Sequence, residues 1–540
     1  MPRFAAQLDV SGHRLPGMRF YVGVLVTLPL VLSGCVGVSV DKVEPTIPAS
    51  PSGSSQVGSA PDPALAKYYA QDVNWRRCSP SSSFLCGTIN VPLDYAKPDG
   101  PAIKVAVLQV QSSGDARLGS LLMDPGGPGG SGIEFAAAAA GAFSPEIRDA
   151  YNLIGLDPRG VGQSTPVECL TDKQTDDLID APSSPENQAE EQEAIRVYTE
   201  LGPRCVKNSP QIARYMDSIS ASKDMDVLRA SLREDKLNYL GYSYGTFLGA
   251  LYAEQFPTHV GRFVLDGALD PELDNAELAT GQAAAFQVEL GRYLDWCVQQ
   301  RDCPLGSDRA AAEARLQAFV RQVADQPLAA EPGRPLTESL LISAMAMSMY
   351  APEVQWDSLN RALAAGLAGD GSELLALVDE TTERNANGTF NNNGNEAIYA
   401  VNCLDRPDRY DAAQVEKLAG QWGQQWPFIG DSQAWSMLAC DNWPAPATYT
   451  PHKIVAPGTP DILVIGTQYD PATPYVWAQA LAGGLENGKL ISWQGGDGHT
   501  AYLRSSACVN AIVNRFLLTG KAPEAENTVC PLTGAVPISR

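Results

Sequence analysis

The chain has 540 residues, 44% of them hydrophobic, with a net charge of −23 and a sequence pI near 4.6. That length is too great for one simple core and predicts about two to four folding units, with enough apolar material to fill them. So acidic a balance excludes nucleic acid as a partner, because phosphates would be repelled.

The N-terminus reads as an address. Arg14 and Arg19 precede an apolar run from Phe20 to Leu32, which closes in Leu32-Ser33-Gly34-Cys35. A basic start, a short apolar run and small residues predict an export signal over 1–34. The run contains Pro29 and is too short for a spanning helix, which needs about 20 residues. Its ending resembles a bacterial lipobox, which implies that Cys35 carries lipid and that the protein sits on the cell envelope. A plain secretory signal, with Cys35 there by chance, is the alternative. Residues 35–65 are rich in Pro, Ser, Gly and Ala without helix or strand periodicity, the composition of a flexible tether.

Eleven cysteines are more than a reducing compartment favours, so disulfides in an oxidising space are expected. With Cys35 given to lipid, ten remain. They fall into sequence neighbours: Cys78 with Cys86, Cys169 with Cys205, Cys297 with Cys303, Cys403 with Cys440, and Cys508 with Cys530. Sequence does not prove that connectivity. No CxxC pair or His-Cys cluster occurs in the sequence, so no metal is expected.

Residues 66–270 read as the first part of an α/β core. Gly87 to Pro92 and Ile103 to Val110 alternate like antiparallel edge strands. Short apolar runs follow at Ser120 to Met123, Tyr151 to Leu156, Leu237 to Leu240 and Arg262 to Leu265, with helices predicted at Asp224 to Leu232 and Thr246 to Gln255. Strands alternating with helices predict a mostly parallel sheet covered on both faces. Residues 271–455 turn helical and Ala-rich, with helices predicted at Leu340 to Met349 and Leu359 to Leu377. This insertion is expected to be a cap over the C-terminal edge of the sheet. The core resumes over 456–540 with a strand at Ile462 to Ile465.

Gly241-Tyr-Ser243-Tyr-Gly245 follows an apolar strand and precedes a helix. This is the setting of a nucleophile elbow, in which a tight turn lifts a serine hydroxyl clear of the backbone. A serine needs a base, and the chain has only four histidines. His13 goes with the signal, and His259 and His452 come before the expected acid, so the order Ser, acid, His leaves His499. Asp470, just past the strand at Ile462, is the expected acid, holding the imidazole tautomer and stabilising its charged form. Asp266 is the rival acid, and Asp497 is expected to cap a loop. Backbone N–H groups of Tyr244 and of Gly127, in Asp124-Pro-Gly-Gly-Pro-Gly-Gly-Ser-Gly132, are the expected oxyanion donors. That loop lacks the Lys-Ser/Thr ending of a phosphate-binding loop.

Together, Asp124-Pro-Gly-Gly-Pro-Gly-Gly, Asp157-Pro-Arg-Gly-Val-Gly, Gly241-Tyr-Ser-Tyr-Gly-Thr, Asp470-Pro-Ala-Thr-Pro and Gly498-His-Thr resemble the secreted tripeptidyl-aminopeptidase-like group of the proline iminopeptidase family. The resemblance runs from about Trp75 to the C-terminus and is closest to lipobox-bearing actinobacterial members. It implies an α/β-hydrolase fold and a peptidase or esterase working outside the membrane without metal or organic cofactor. Peptide or ester substrates and a monomer are the expectation. Pro125 stands where proline iminopeptidases usually have His, which puts a preference for N-terminal proline in doubt. An aminopeptidase must pair its substrate's ammonium group, and Glu396 and Asp405 are the candidates for that role, with structural or solvated acids as the alternative. A carboxylesterase or lipase with the same triad, or an envelope binding protein without activity, are the competing readings.

Overall fold

The computed structural model describes residues 60–114, 118–504 and 506–532. The expected export signal, Cys35 and nearly all of the tether lie outside them. Among the described residues, 79–82 belong to a different unit from the rest, and the unit that contains the others holds everything below.

After short helical turns at Pro63–Leu65 and Ala66–Tyr69, the elements that frame the sheet begin with strands β1 (Arg76–Arg77), β2 (Leu85–Pro92), β3 (Ala102–Val110) and β4 (Ser120–Asp124), helix α1 (Gly132–Ala139) and β5 (Asn152–Leu156). Helix α2 (Ser218–Ser231), β6 (Leu237–Tyr242), α3 (Tyr244–Gln255) and β7 (Val260–Asp266) follow. After α4 (Asn275–Cys297) and α5 (Arg309–Asp325) come a hairpin of β8 (Leu328–Glu331) and β9 (Arg334–Leu336). Next are helices α6 (Glu338–Met347), α7 (Pro352–Leu367), α8 (Ser372–Thr382), α9 (Gly394–Asp405), α10 (Ala412–Gln425) and α11 (Gly430–Ser436). The chain ends in β10 (Ile462–Tyr469), α12 (Tyr475–Gly484), β11 (Gly488–Asp497), α13 (Ala507–Thr519) and β12 (Asn527–Pro531).

Ten strands form one sheet in the order β1-β2-β3-β5-β4-β6-β7-β10-β11-β12. Pairing is antiparallel from β1 to β5 and parallel from there to β12. The apolar runs explain this arrangement, since parallel strands buried on both faces need side chains of the same character on each. Successive residues alternate between two cores. Leu122, Tyr239, Phe263 and Val464 pack into one, and Leu121, Leu240, Val264 and Leu463 into the other. A third core, from Ala283 to Ile429, lies within the helical segment between β7 and β10.

The structure differs from the sequence reading in three places. Leu65 is already buried, and Tyr69 donates its hydroxyl to Asp226 at 2.8 Å, so packing begins inside the stretch read as tether. The single helix expected from Leu359 to Leu377 is two, α7 and α8, parted at Gly369-Asp370-Gly371, where Gly369 adopts φ +97°. Strands β11 and β12 carried no sequence signal strong enough to read. The first ends in Gly495-Gly496 and the second is a short, half-polar edge.

Five disulfides join Cys78–Cys86, Cys169–Cys205, Cys297–Cys303, Cys403–Cys440 and Cys508–Cys530, the neighbour pairing read from the sequence.

Candidate active site

Parallel strands bring their carboxyl ends to one edge of the sheet, where ligands of such folds bind. Ser243 follows β6, Asp266 ends β7, Asp470 follows β10 and His499 follows β11. The glycine-rich loop follows β4.

Ser243 sits in the turn between β6 and α3 with φ 56° and ψ −125°, a region that a side chain rarely adopts. Three contacts hold it there. Its N–H donates to the Asp266 carbonyl at 2.9 Å, and the hydroxyl and N–H of Thr246 reach its own carbonyl at 2.6 and 2.9 Å. Gly241 is required by close approach, since a Cβ there would lie 2.5 Å from the Gly245 carbonyl oxygen.

The imidazole of His499 meets the Asp470 carboxylate and, at 3.3 Å, the Thr473 hydroxyl on Nδ1, and has no partner on the other side among the described residues. Nδ1 lies 2.9 Å from both carboxylate oxygens of Asp470. That carboxylate also accepts from the N–H groups of Ala472, Thr473 and Thr500 at 2.8–3.1 Å and from the Thr473 hydroxyl at 3.0 Å. A carboxylate facing Nδ1 accepts the ring proton's hydrogen bond there, which leaves the lone pair on Nε2. Nε2 is buried and has no hydrogen-bond partner among the described residues. A Cβ on Gly267 would lie 3.0 Å from His499 Cε1. The end of β7 therefore touches both members of the pair, Ser243 through the Asp266 carbonyl and His499 through Gly267.

Asp266 is not the imidazole's partner. Its carboxylate accepts from the N–H groups of Ala501 and Tyr502 at 2.7–3.1 Å, so it fixes the loop that carries His499. Burial pushes its pKa up to about 6. Asp497, expected to cap a loop, is instead ion-paired with Arg292 of α4, whose guanidinium lies 3.6 Å over the Tyr469 ring. The other described histidines are engaged elsewhere, His259 with Asp226 at 2.8 Å and His452 with Glu254 at 2.9 Å.

The glycine-rich loop lies against the elbow. A Cβ on Gly126 would come within 2.9 Å of both Ser243 Cβ and the Tyr244 nitrogen, so no other residue fits that contact. The Gly126 N–H is taken by Asp124 at 2.8 Å, whereas among the described residues the N–H of Gly127 has no acceptor. Tyr244 is the first residue of α3, where a helix leaves its N–H groups unpaired. Asp157 braces the loop from below, accepting from Ser131 Oγ at 2.6 Å and from the N–H groups of Ile133 and Gln163. Arg159 of the same Asp-Pro-Arg motif is fully buried in a two-pronged pair with Asp224, both contacts 2.7 Å. That motif is structural.

Glu396 and Asp405 do not form an ammonium site. The carboxylate of Glu396 is consumed by the N–H groups of Cys169 and Leu170 at 2.9–3.1 Å. Asp405 accepts from the Ser218 N–H at 2.8 Å and its hydroxyl at 2.5 Å, and Ser218 in turn meets the Tyr244 hydroxyl. Burial raises both acids to about 7. Each is a buried carboxyl satisfied by the protein, which leaves it nothing to offer a substrate.

Sequence reasoning missed several supports of the His499 loop. Thr473 stood in the quoted Asp-Pro-Ala-Thr-Pro, a signature of an Asx-type turn, but its hydroxyl was not read. The His499 N–H donates to the Tyr350 carbonyl at 2.8 Å, and the Gly498 N–H to Glu289 of α4 at 3.2 Å. Nothing local in the sequence could pair those distant positions.

Residues 426–530 match the family described as "TAP-like protein". The chain is 34% identical over 478 residues to serine protease Hip1 of Mycobacterium tuberculosis, covering 84% of this chain and 90% of that protein. It is 34% identical over 453 residues to carboxylesterase B of the same species, covering 83% and 86%. It is 30% identical over 482 residues to tripeptidyl aminopeptidase of Streptomyces lividans, covering 87% and 88%. Set beside the sheet and its edge, these likenesses make the chain an enzyme, a serine hydrolase, and it belongs to the tripeptidyl-aminopeptidase-like family of α/β-hydrolases.

Proposed function

We propose that this hydrolase cleaves peptide bonds close to the amino terminus of its substrates, outside the cytoplasm, through an acyl-enzyme on Ser243. The observation that carries the reading is the pairing of Asp470 with His499 Nδ1, which leaves Nε2 without a partner among the described residues, at the same end of β7 that holds Ser243 through the Asp266 carbonyl. Nε2 takes the Ser243 proton as Oγ attacks the scissile carbonyl. Asp470 stabilises the imidazolium, which then returns the proton to the leaving amine. The N–H groups of Gly127 and Tyr244 receive the oxyanion. Water, activated by the same imidazole, releases the acyl group.

Residues 271–455 act in this reading as the cap that limits which chain ends reach the serine. Residues 1–34 direct export and Cys35 carries the lipid, with the residues between it and the buried Leu65 as tether to a monomeric enzyme. Among the described residues no helix is long and apolar enough to cross a membrane, and an anchor would supply attachment by other means.

Ester cleavage is the second reading, favoured by the likeness to a protein named carboxylesterase B. Matched fluorogenic tripeptide amides, free and N-blocked, and short-chain esters separate the two. Turnover of free but not blocked peptides, lost in Ser243→Ala, is expected. Turnover of esters alone would move the enzyme to the carboxylesterases.

A further inference from the structure

Helix α4 has two working faces. Glu289 and Arg292 reach the His499 loop, whereas Gln287, Leu290 and Leu294 line a cavity of about 840 Å³ on the far side. At 100° per residue these sets fall on opposite sides of the helix. Ser243, Asp470 and His499 are not among the residues lining this cavity. Its volume is in the range of sites that hold small molecules.

Its walls are of two kinds. Leu290 and Leu294, with Leu316 of α5, Ile342 and Met345 of α6 and Phe428, give it an apolar floor. The charged groups around that floor are one-sided. Glu186, Glu313, Glu338, Glu416 and Asp431 line the cavity, and among the described lining residues Arg321 is the only cation. Glu313 is already paired with Arg309 at 2.8 Å, and Asp431 accepts from the Ser432 N–H at 2.9 Å. The carboxylate of Glu338, at the start of α6, has no hydrogen bond or ion pair among the described residues. Burial and the neighbouring Asp431, Glu186 and Glu190 push its pKa up to about 7, the electrostatic sign of a place short of positive charge.

We propose that this cavity binds an organic cation with an apolar body, an alkyl- or aryl-ammonium, at a site separated from the catalytic centre by α4. The floor takes the hydrocarbon and Glu338 takes the ammonium. An anion would meet uncompensated carboxylates, and a neutral amphiphile would leave Glu338 as it is. Glu338 is half-buried, and a carboxylate removed from part of its water gains from a partner of opposite sign.

The test is a titration of the full chain with dansylcadaverine, an ammonium with an aromatic body whose emission rises in apolar surroundings. Saturable binding is expected, displaced by octylamine at least tenfold more effectively than by octanol or octanoate. Glu338→Gln should weaken it at least tenfold and Asp431→Asn severalfold, while both variants keep wild-type ester or peptide turnover as evidence of folding. Ser243→Ala should bind the probe as the wild type does, so failure of the proposed chemistry and failure of this site are read separately. No saturable binding, equal displacement by octanoate, unchanged binding in both acid variants, or loss of binding after a serine-directed sulfonyl fluoride has blocked Ser243 would each overturn the proposal.

Discussion

Replacing Asp470 by Asn tests the assignment of the acid most sharply. Both carboxylate oxygens face donors: Oδ1 accepts the Ala472 and Thr473 N–H groups, Oδ2 the Thr473 hydroxyl and Thr500 N–H, and both lie 2.9 Å from His499 Nδ1. An amide nitrogen cannot accept, so either orientation of the substituted side chain sets N–H against N–H. If the nitrogen faces the ring, it donates to Nδ1 and moves the proton to Nε2, where the imidazole can no longer act as base. The expected loss in kcat is about 10⁴-fold, roughly 5.5 kcal/mol of transition-state stabilisation. Two charge-assisted hydrogen bonds are lost as well, costing about 2–4 kcal/mol of stability. The assay pairs steady-state turnover with a melting curve and with titration by a serine-directed phosphonate. A kcat within tenfold of wild type in folded Asp470→Asn, with a greater loss in Asp266→Asn, would refute the assignment and transfer the role to Asp266.

Thr473→Val removes the hydroxyl that Asp470 Oδ2 accepts at 3.0 Å and should lower kcat about fivefold, roughly 1 kcal/mol, with KM little changed. Gly126→Ala drives a methyl to 2.5 Å from the Tyr242 carbonyl oxygen and 2.9 Å from the Tyr244 nitrogen at φ +91°; kcat should fall at least 10²-fold, as for loss of an oxyanion donor, and a folded variant with full activity would count against the loop's role. Breaking Cys403–Cys440, 37 residues apart, should cost about 4 kcal/mol in denaturant titrations against about 2 for Cys297–Cys303, 6 apart. Glu289 is raised to about 9 by burial, by Asp497 and by Asp470, against Arg292 and the Gly498 N–H. Because its pKa is higher folded than unfolded, it favours folding at low pH and the advantage is lost as pH rises through about 9. Wild type should therefore lose stability relative to Glu289→Gln by up to about 1.4 kcal/mol per pH unit between about pH 4.5 and 9; parallel melting curves for the two proteins across that interval would refute the burial argument.

What the sequence disclosed follows from how local each signal is. The elbow was legible because Gly241, Ser243 and Gly245 answer to one tight turn, and the parallel strands because burial on both faces makes continuous apolar runs. His499 emerged by elimination, since a chain with four histidines leaves few bases. The failures were at long range. Glu396 and Asp405 looked available because sequence shows a carboxylate and not its donors, and those donors are the N–H groups of Cys169, Leu170 and Ser218, roughly two hundred residues away. Strands β11 and β12 escaped because one carries paired glycines and the other is an edge that needs little apolar surface.

Asp266 and Asp470 show why order along the chain could nominate an acid but not choose between two. Asp266 ends and Asp470 follows one of two neighbouring parallel strands, each is almost fully buried, and each accepts several N–H groups. What separates them is the origin of those donors. Asp470 is wrapped by its own turn, through Ala472 and Thr473, so its carboxylate is fixed before His499 arrives and turns one edge of both oxygens toward Nδ1. Asp266 has only the distant Ala501 and Tyr502 N–H groups, and spends its charge on holding that loop in place. In the proposed mechanism the first is a preorganised partner for a developing imidazolium, and the second a clamp that makes the partnership possible. The His499 loop is in turn pinned from the helical segment by Tyr350 and Glu289. In the proposed mechanism the base is thus positioned by the sheet on one side and by the helical segment on the other, so both contribute to its geometry.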